Sequence, residues 1–162
     1  MYGGAQRERY SPYAREMPVI VVGADTPTGE AVVASLTGRD GDVRAFVSSE
    51  AAGKRLKARG VKVAVGDISD GSHIGGAARN CFSAVLDPAA AGDGRKLAFA
   101  GSVAEVFAAW AEALADAAVT RAIWVGDTVP KAIAAAVSES AAVPPGPNVA
   151  EEIRRLDELA HL

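Results

Sequence analysis

Apolar residues along the chain form short continuous runs that alternate with stretches of helical spacing. The first run, Val19–Val22, contains four consecutive β-branched residues and is typical of a strand buried on both faces of a parallel sheet. A glycine-containing turn follows, and then residues 30–36 repeat their apolar positions at the helical period before Gly38. The same alternation predicts further strands at residues 43–47, 61–65, 82–86 and 122–125, and helices at residues 50–59, 72–79 and 102–118.

Five short apolar strands separated mostly by helices imply crossover connections, and therefore a parallel sheet with helices on both faces. Right-handed crossovers and a reversal of winding after the third strand give the strand order 3-2-1-4-5. The sequence thus predicts an α/β domain with a doubly wound parallel sheet over residues 18–128. Residues 1–17 are predicted to be an N-terminal tail, and residues 129–162 a C-terminal linker and helix.

The two flanking segments are candidates for contacts with other chains. The tail contains all three tyrosines and no aliphatic run, so it is either a flexible extension or an arm that packs on a neighbouring subunit. The proline-rich residues 143–147 predict an extended linker, and the following helix either docks on the sheet edge or binds a partner. A homo-oligomer or a protein partner is therefore one expectation.

Composition narrows the class of protein. A chain of 162 residues with 49% hydrophobic residues can bury the core of one domain, and its net charge of −3 is scattered without a basic footprint for nucleic acid or anionic membranes. No apolar run approaches the roughly 20 residues of a membrane span, and no signal-peptide stretch is present, so we expect a cytoplasmic protein. One cysteine, Cys81, and two histidines, His73 and His161, predict neither a disulfide framework nor a metal site.

The turn after the first strand is the candidate binding site. It reads Gly23-Ala24-Asp25-Thr26-Pro27-Thr28-Gly29, and in such a domain backbone N–H groups and a helix N-terminus meet there, where a pyrophosphate binds naturally. Gly23 is suited to the tight turn and Gly29 to close contact between helix and strand.

This turn resembles that of the atypical and extended short-chain dehydrogenase/reductases, including the NmrA-like NAD(P)-binding group with its Rossmann-like fold, where it typically reads Gly-Ala-Thr-Gly-x-x-Gly. The strand at residues 61–65 runs into Gly66-Asp67 as the family's third strand does, and the likeness covers about residues 18–128. The resemblance implies a dinucleotide held by the turn, with Asp67 beside the adenine and Asp87 and Pro88 on the nicotinamide side.

Two positions depart from the family pattern. Thr26 replaces the middle glycine, and Asp25 stands where the family has threonine. The Thr26 hydroxyl could donate to a phosphate, but its side chain could equally close the pocket, and an inward-pointing Asp25 would repel phosphate. A turn that only connects strand to helix therefore remains the alternative to a cofactor site.

The end of the second strand sets the choice of dinucleotide. An acid there binds the ribose 2′-OH of NAD, whereas an arginine pairs with the 2′-phosphate of NADP. This chain has Ser48, where the NmrA-like pattern often has arginine, and the nearby Arg44, Lys54 and Arg55 are either substitutes or surface charges. Because no acid sits at the strand end, NADP is slightly favoured over NAD.

The family's catalytic Tyr-x-x-x-Lys pair is missing, because every tyrosine precedes the first strand. Thr128 aligns near the family serine, and Asp127 beside it could act as a base or as a turn residue; no catalytic residue is assigned. The leading hypothesis is an NAD(P)-binding redox sensor or regulatory subunit. The alternatives are an interaction module that has lost the cofactor, and a small oxidoreductase whose substrate takes its proton from water.

Overall fold

The computed structural model describes Ala14 and residues 16–162. The three tyrosines and most of the predicted tail lie outside the described residues. The strands are β1 (Val19–Val22), β2 (Val43–Val47), β3 (Lys62–Val65), β4 (Ser83–Leu86), β5 (Arg121–Val125) and β6 (Glu139–Val143). The helices are α1 (Pro27–Leu36), α2 (Glu50–Ala58), α3 (Gly71–Ala77), α4 (Ala89–Gly92), α5 (Val103–Asp116), α6 (Lys131–Ala136) and α7 (Val149–Asp157).

The six strands form one parallel sheet in the order β3-β2-β1-β4-β5-β6. The doubly wound parallel sheet and the order of its first five strands are confirmed. The sixth strand was not predicted, because its sequence Glu-Ser-Ala-Ala-Val has a single β-branched residue and lies half-buried at the sheet edge. It pairs with β5 from Arg121 opposite Glu139 to Val125 opposite Val143.

The core consists of one apolar layer on each face of the sheet, because successive residues of a strand point to opposite faces. Ile20 and Val22 belong to the layer that contains Ile74, Trp110 and Leu114. Val19 and Val21 belong to the layer beneath α1 and α7. The indole N–H of Trp110 donates to the carbonyl of Ile68 at 2.8 Å, which satisfies the one polar atom of this buried side chain.

Cys81 lies in the first of these layers, where burial raises the pKa of its thiol to about 11. It is therefore a small core residue, as expected, and remains a thiol at neutral pH. Within the described part of the chain, no helix has both the length and the apolarity to cross a bilayer.

Candidate functional site

The site residues predicted from the sequence all lie at the carboxyl ends of the parallel strands. The glycine-containing turn joins β1 to α1, while Ser48, Asp67 and the pair Asp87-Pro88 follow β2, β3 and β4 respectively. Neighbouring β1 and β4 connect to elements on opposite sides of the sheet, which makes their ends the topological switch point. In open α/β sheets, ligands bind in the crevice at this point.

The two glycines of the turn hold it close to its neighbours. Gly23 has a φ of +85°, and a Cβ there would lie 2.9 Å from the Cβ of Ala90. A Cβ on Gly29 would lie 2.1 Å from the carbonyl oxygen of Gly23. Gly29 therefore makes the close contact between helix and strand that the sequence predicted.

Thr26 joins the turn to the end of β4. It is the N-cap of α1, with its hydroxyl oxygen accepting the N–H of Gly29 at 2.8 Å, and it has a φ of −87°, so the position does not require glycine. The same hydroxyl donates to the carboxylate of Asp87, and both side chains are buried. Asp87 also accepts the N–H of Ala89 at 3.1 Å. Two predicted site residues are thus in direct contact.

Asp25 joins the turn to the end of β2. One of its carboxylate oxygens accepts the N–H groups of Ser48 at 2.9 Å and Ser49 at 3.1 Å, at the start of α2. The other lies 2.8 Å from a guanidinium nitrogen of Arg95, and the Asp25 side chain is only 6% exposed. Asp25 therefore occupies the place and the donors that a ligand phosphate would use at this helix terminus.

Arg95 lies among these candidate residues, and the sequence did not predict it. Its guanidinium contacts Asp25, reaches the Ser48 hydroxyl at 3.3 Å, and pairs with Asp93 at 2.7 Å. Hydrogen bonds to Asp93 and Asp25 outweigh burial and raise the pKa of Arg95 above its usual value. Arg95 is 70 positions from Asp25, so only the fold brings them together.

Asp67 lies after β3 and is also bonded within the chain. Its carboxylate accepts the N–H of Ser69 and the N–H of Ala98, each at 2.8 Å, and the Ser69 hydroxyl. Burial acts to raise the pKa of Asp67, but these hydrogen bonds outweigh it and the pKa is lowered. The carboxylate is thus held charged, with donors already on both oxygens.

The basic residues that the sequence offers near Ser48 either bind other groups or are exposed. Arg44 donates to the carbonyls of Ala77 and Arg79, and Arg55 pairs with Glu30 at 2.8 Å. Lys54 is exposed on α2. Arg95 is therefore the cation that the fold places at the end of β2.

Asp127 and Thr128 follow β5 and are exposed. Among the described residues, no three histidine, cysteine or acidic side chains are grouped so that they could hold a metal ion. Beside Asp25 and Arg95 lies an open depression of about 520 Å³, lined by Asp25, Ser48, Ser49, Asp93, Gly94 and Arg95.

Comparison with known proteins identifies the fold. No family model matches the chain, and no curated protein matches it. Among solved structures, BdcA (YjgI) from E. coli aligns with a TM-score of 0.60 and 17% identity over 86% of this chain and 88% of that one. An NADPH-dependent quinone oxidoreductase from Escherichia coli, complexed with NADPH, aligns with a TM-score of 0.54 and 20% identity over 88% of this chain.

A third similar structure is the Citrobacter sp. triphenylmethane reductase complexed with NADP(H), with a TM-score of 0.54 and 16% identity over 86% of this chain. The present chain spans 46% of the length of each of these two reductases. At these identities the likeness establishes a Rossmann-type fold of the kind found in NAD(P)-binding reductases.

Proposed function

We propose that this protein binds NADP(H) at the carboxyl ends of β1, β2 and β4 and serves as a redox sensor or regulatory subunit. The observation that carries the proposal is Arg95, whose guanidinium lies against Ser48 at the edge of the open depression. A cation at the end of the second strand is the feature with which this fold accommodates a 2′-phosphate. Similar folds crystallised with NADPH and NADP(H) support the choice of ligand class.

The first turn fits the pyrophosphate only in part. Pro27, at the first position of α1, has no N–H to offer, and the N–H of Gly29 is already bonded to Thr26. Thr28 would therefore hold the pyrophosphate through its N–H and hydroxyl, and Arg95 would hold the 2′-phosphate. With fewer backbone donors than a full glycine motif, we expect the 2′-phosphate to contribute a large share of the affinity.

The regulatory role follows from what the chain lacks. A nicotinamide dinucleotide supplies hydride when it acts as a coenzyme, and the family's reductases add a proton from the tyrosine of a Tyr-x-x-x-Lys pair. This sequence has no such pair. The nicotinamide side presents Asp87, which is buried and bonded to Thr26. The site is therefore better suited to holding a dinucleotide than to turning it over.

Calorimetric titration with NADPH, NADP, NADH and NAD tests this function. Replacing Arg95 by alanine is expected to lower the preference for NADPH over NADH about tenfold, the value of a hydrogen bond to a charged group. Arg59→Ala is the matched control, because it removes the same charge from an exposed position at the far end of α2. An unchanged preference in Arg95→Ala would refute the assignment of the 2′-phosphate site.

An interaction module without a cofactor is the second candidate, and the two carboxylates of the site favour it. Asp25 lies in the turn and Asp87 contacts Thr26 of the turn, and carboxylates repel the negative charge of a pyrophosphate. Failure of all four dinucleotides to bind would establish this candidate over the first. Turnover of a quinone or dye acceptor with NADPH would instead indicate the small oxidoreductase.

A further inference from the structure

Residues 93–99, here called the strap, connect α4 to α5 and run past the ends of β1, β2 and β3. The strap touches each of these ends through a polar group. Arg95 contacts Asp25 after β1 and the Ser48 hydroxyl after β2. The N–H of Ala98 donates to Asp67 after β3 at 2.8 Å. The N–H of Phe99 donates to the Ser69 hydroxyl at 3.0 Å, which anchors the far end of the strap.

These anchoring groups lie on the adenosine side of the crevice. In a doubly wound sheet, the adenosine half of a dinucleotide passes over the ends of the first strand and its neighbours, away from the fourth. The strap therefore supplies internal partners to the side chains that a bound adenosine would meet. The N–H of Ala98 on the Asp67 carboxylate takes the place of a donor from a ligand.

The strap is held by hydrogen bonds more than by apolar packing. Ala98 is exposed, and Phe99 has 66% of its surface exposed although it is the largest apolar side chain of the segment. Leu97 packs at the margin of the core. A segment with few buried apolar contacts opens at low cost in free energy. The strap can thus leave the sheet edge while the domain stays folded.

We propose that the strap is an autoinhibitory cover over the adenosine end of the site, which a dinucleotide displaces when it binds. The inference rests on the proposed function. Residues 96–99 leave Asp67 and Ser69, and Arg95 exchanges Asp25 for the 2′-phosphate. The protein then couples occupancy of the site to a movement of the strap, which uncovers the half-buried Leu97 and displaces the already exposed Lys96 and Phe99.

The test compares two substitutions at Ala98. Ala98→Pro removes the N–H that Asp67 accepts, whereas Ala98→Ser keeps it at the same exposed position. By calorimetry, Ala98→Pro is expected to bind NADPH about tenfold more tightly than Ala98→Ser, the value of one hydrogen bond to a charged acceptor. If the proline variant fails to fold, Ser69→Ala provides a second test. It removes the acceptor of the Phe99 N–H and should also tighten NADPH binding.

A second measurement follows the strap itself. Trypsin cleaves after lysine, and mass spectrometry can identify cleavage after Lys96. Saturating NADPH is expected to speed this cut in the unchanged protein, and Ala98→Pro should speed it without any ligand. A slower cut with NADPH would show that the strap closes on the ligand, and would overturn the proposal.

The outcomes separate the two proposals. Equal NADPH affinity in all variants would overturn the strap's inhibitory role and leave dinucleotide binding intact. No binding by the unchanged protein but measurable binding by Ala98→Pro would support both. Absence of binding in every variant, including Ser69→Ala, would overturn both proposals together.

Discussion

The hydroxyl of Thr26 serves two elements at once. It accepts the N–H of Gly29, which caps α1, and it donates to the buried carboxylate of Asp87 at the end of β4. A buried carboxylate is costly unless donors surround it, so this single oxygen contributes to both the helix start and the switch point.

Replacing Thr26 by valine keeps the shape but removes both hydrogen bonds. We expect a loss of about 2 to 4 kcal/mol in the free energy of unfolding, from the lost cap and from the Asp87 carboxylate left with one donor fewer. Thr26→Ser is the control, since it keeps the hydroxyl. Urea denaturation measures both variants, and a serine variant that is no more stable than the valine variant would contradict the role assigned to the hydroxyl.

Cys81 predicts a pH dependence of stability. Burial raises the pKa of its thiol from 9.0 to about 11. The folded state favours the protonated thiol, so this contribution is fully present below pH 9 and is lost as the pH rises towards 11. Between pH 9 and pH 11, we expect the free energy of unfolding of the unchanged protein to fall by about 2 kcal/mol more than that of Cys81→Ala. Chemical denaturation at pH 8 and pH 11 checks this, and parallel losses in both proteins would contradict it.

At the scale of elements, α7 is fastened to the sheet by polar groups as well as by its apolar face. Arg121 is fully buried, pairs with Glu139 at 2.6 Å, and donates to the carbonyls of Leu156 and Leu159. Arg39, just after α1, makes a two-pronged pair with Asp157 at 2.8 and 3.1 Å. The C-terminal helix therefore packs on the protein's own sheet layer.

Because Arg39 and Asp157 are in contact, we expect substitutions of the two residues to have non-additive effects on stability. Burial raises the pKa of Asp157 despite its contact with Arg39, so charging it at neutral pH brings little net stabilisation. Asp157→Leu alone should cost about 3 to 5 kcal/mol, because it leaves the Arg39 charge buried and unpaired.

The double variant Arg39→Met with Asp157→Leu removes both charges. We expect it to recover at least half of the loss, as a double-mutant cycle from urea unfolding would measure. A double variant as unstable as the single one would mean that the carbonyls of Met17 and Asp42, which Arg39 also contacts, dominate its role.

At the scale of the whole molecule, a layer of helices covers each face of the sheet in the described part of the chain. Val149, Ile153 and Leu156 of α7 complete the layer that contains Val19 and Val21. Burying three aliphatic side chains is worth about 5 to 8 kcal/mol, which is comparable to the stability of a typical domain. The C-terminal segment is thus part of the fold's stability.

Deletion of residues 144–162 should therefore unfold the protein or leave it aggregated. The deletion uncovers an apolar face, removes the Asp157 partner of Arg39 and removes the two carbonyls that Arg121 contacts on the C-terminal segment. Deleting only residues 160–162 is the control, because Leu159 still offers its carbonyl to Arg121. Circular dichroism and size-exclusion chromatography compare the two, and a folded monomer after the longer deletion would contradict the assigned role of α7.

Short-range sequence patterns predicted the first five strands and the helices that follow them. Val19–Val22 forms a central strand, and Ser102, the first residue of the helix predicted at residues 102–118, caps α5 by accepting the N–H of Glu105 at 3.2 Å. The edge strand β6 was missed because an edge needs little apolar sequence and is specified by pairing with β5. The candidate site residues were predicted only as positions in the chain, and the partners that they contact were not predicted.

The sequence by itself determined the alternation of strands and helices that builds the doubly wound sheet, and the turn at Gly23 and Gly29, because these depend on residues close together in the chain. Only the tertiary structure decided that Thr26 bonds to Asp87 and that Arg95 lies between Asp25 and Ser48. These contacts join residues 61 and 70 positions apart. No local period or propensity encodes them, since they arise where separate strands end at one edge of a common sheet.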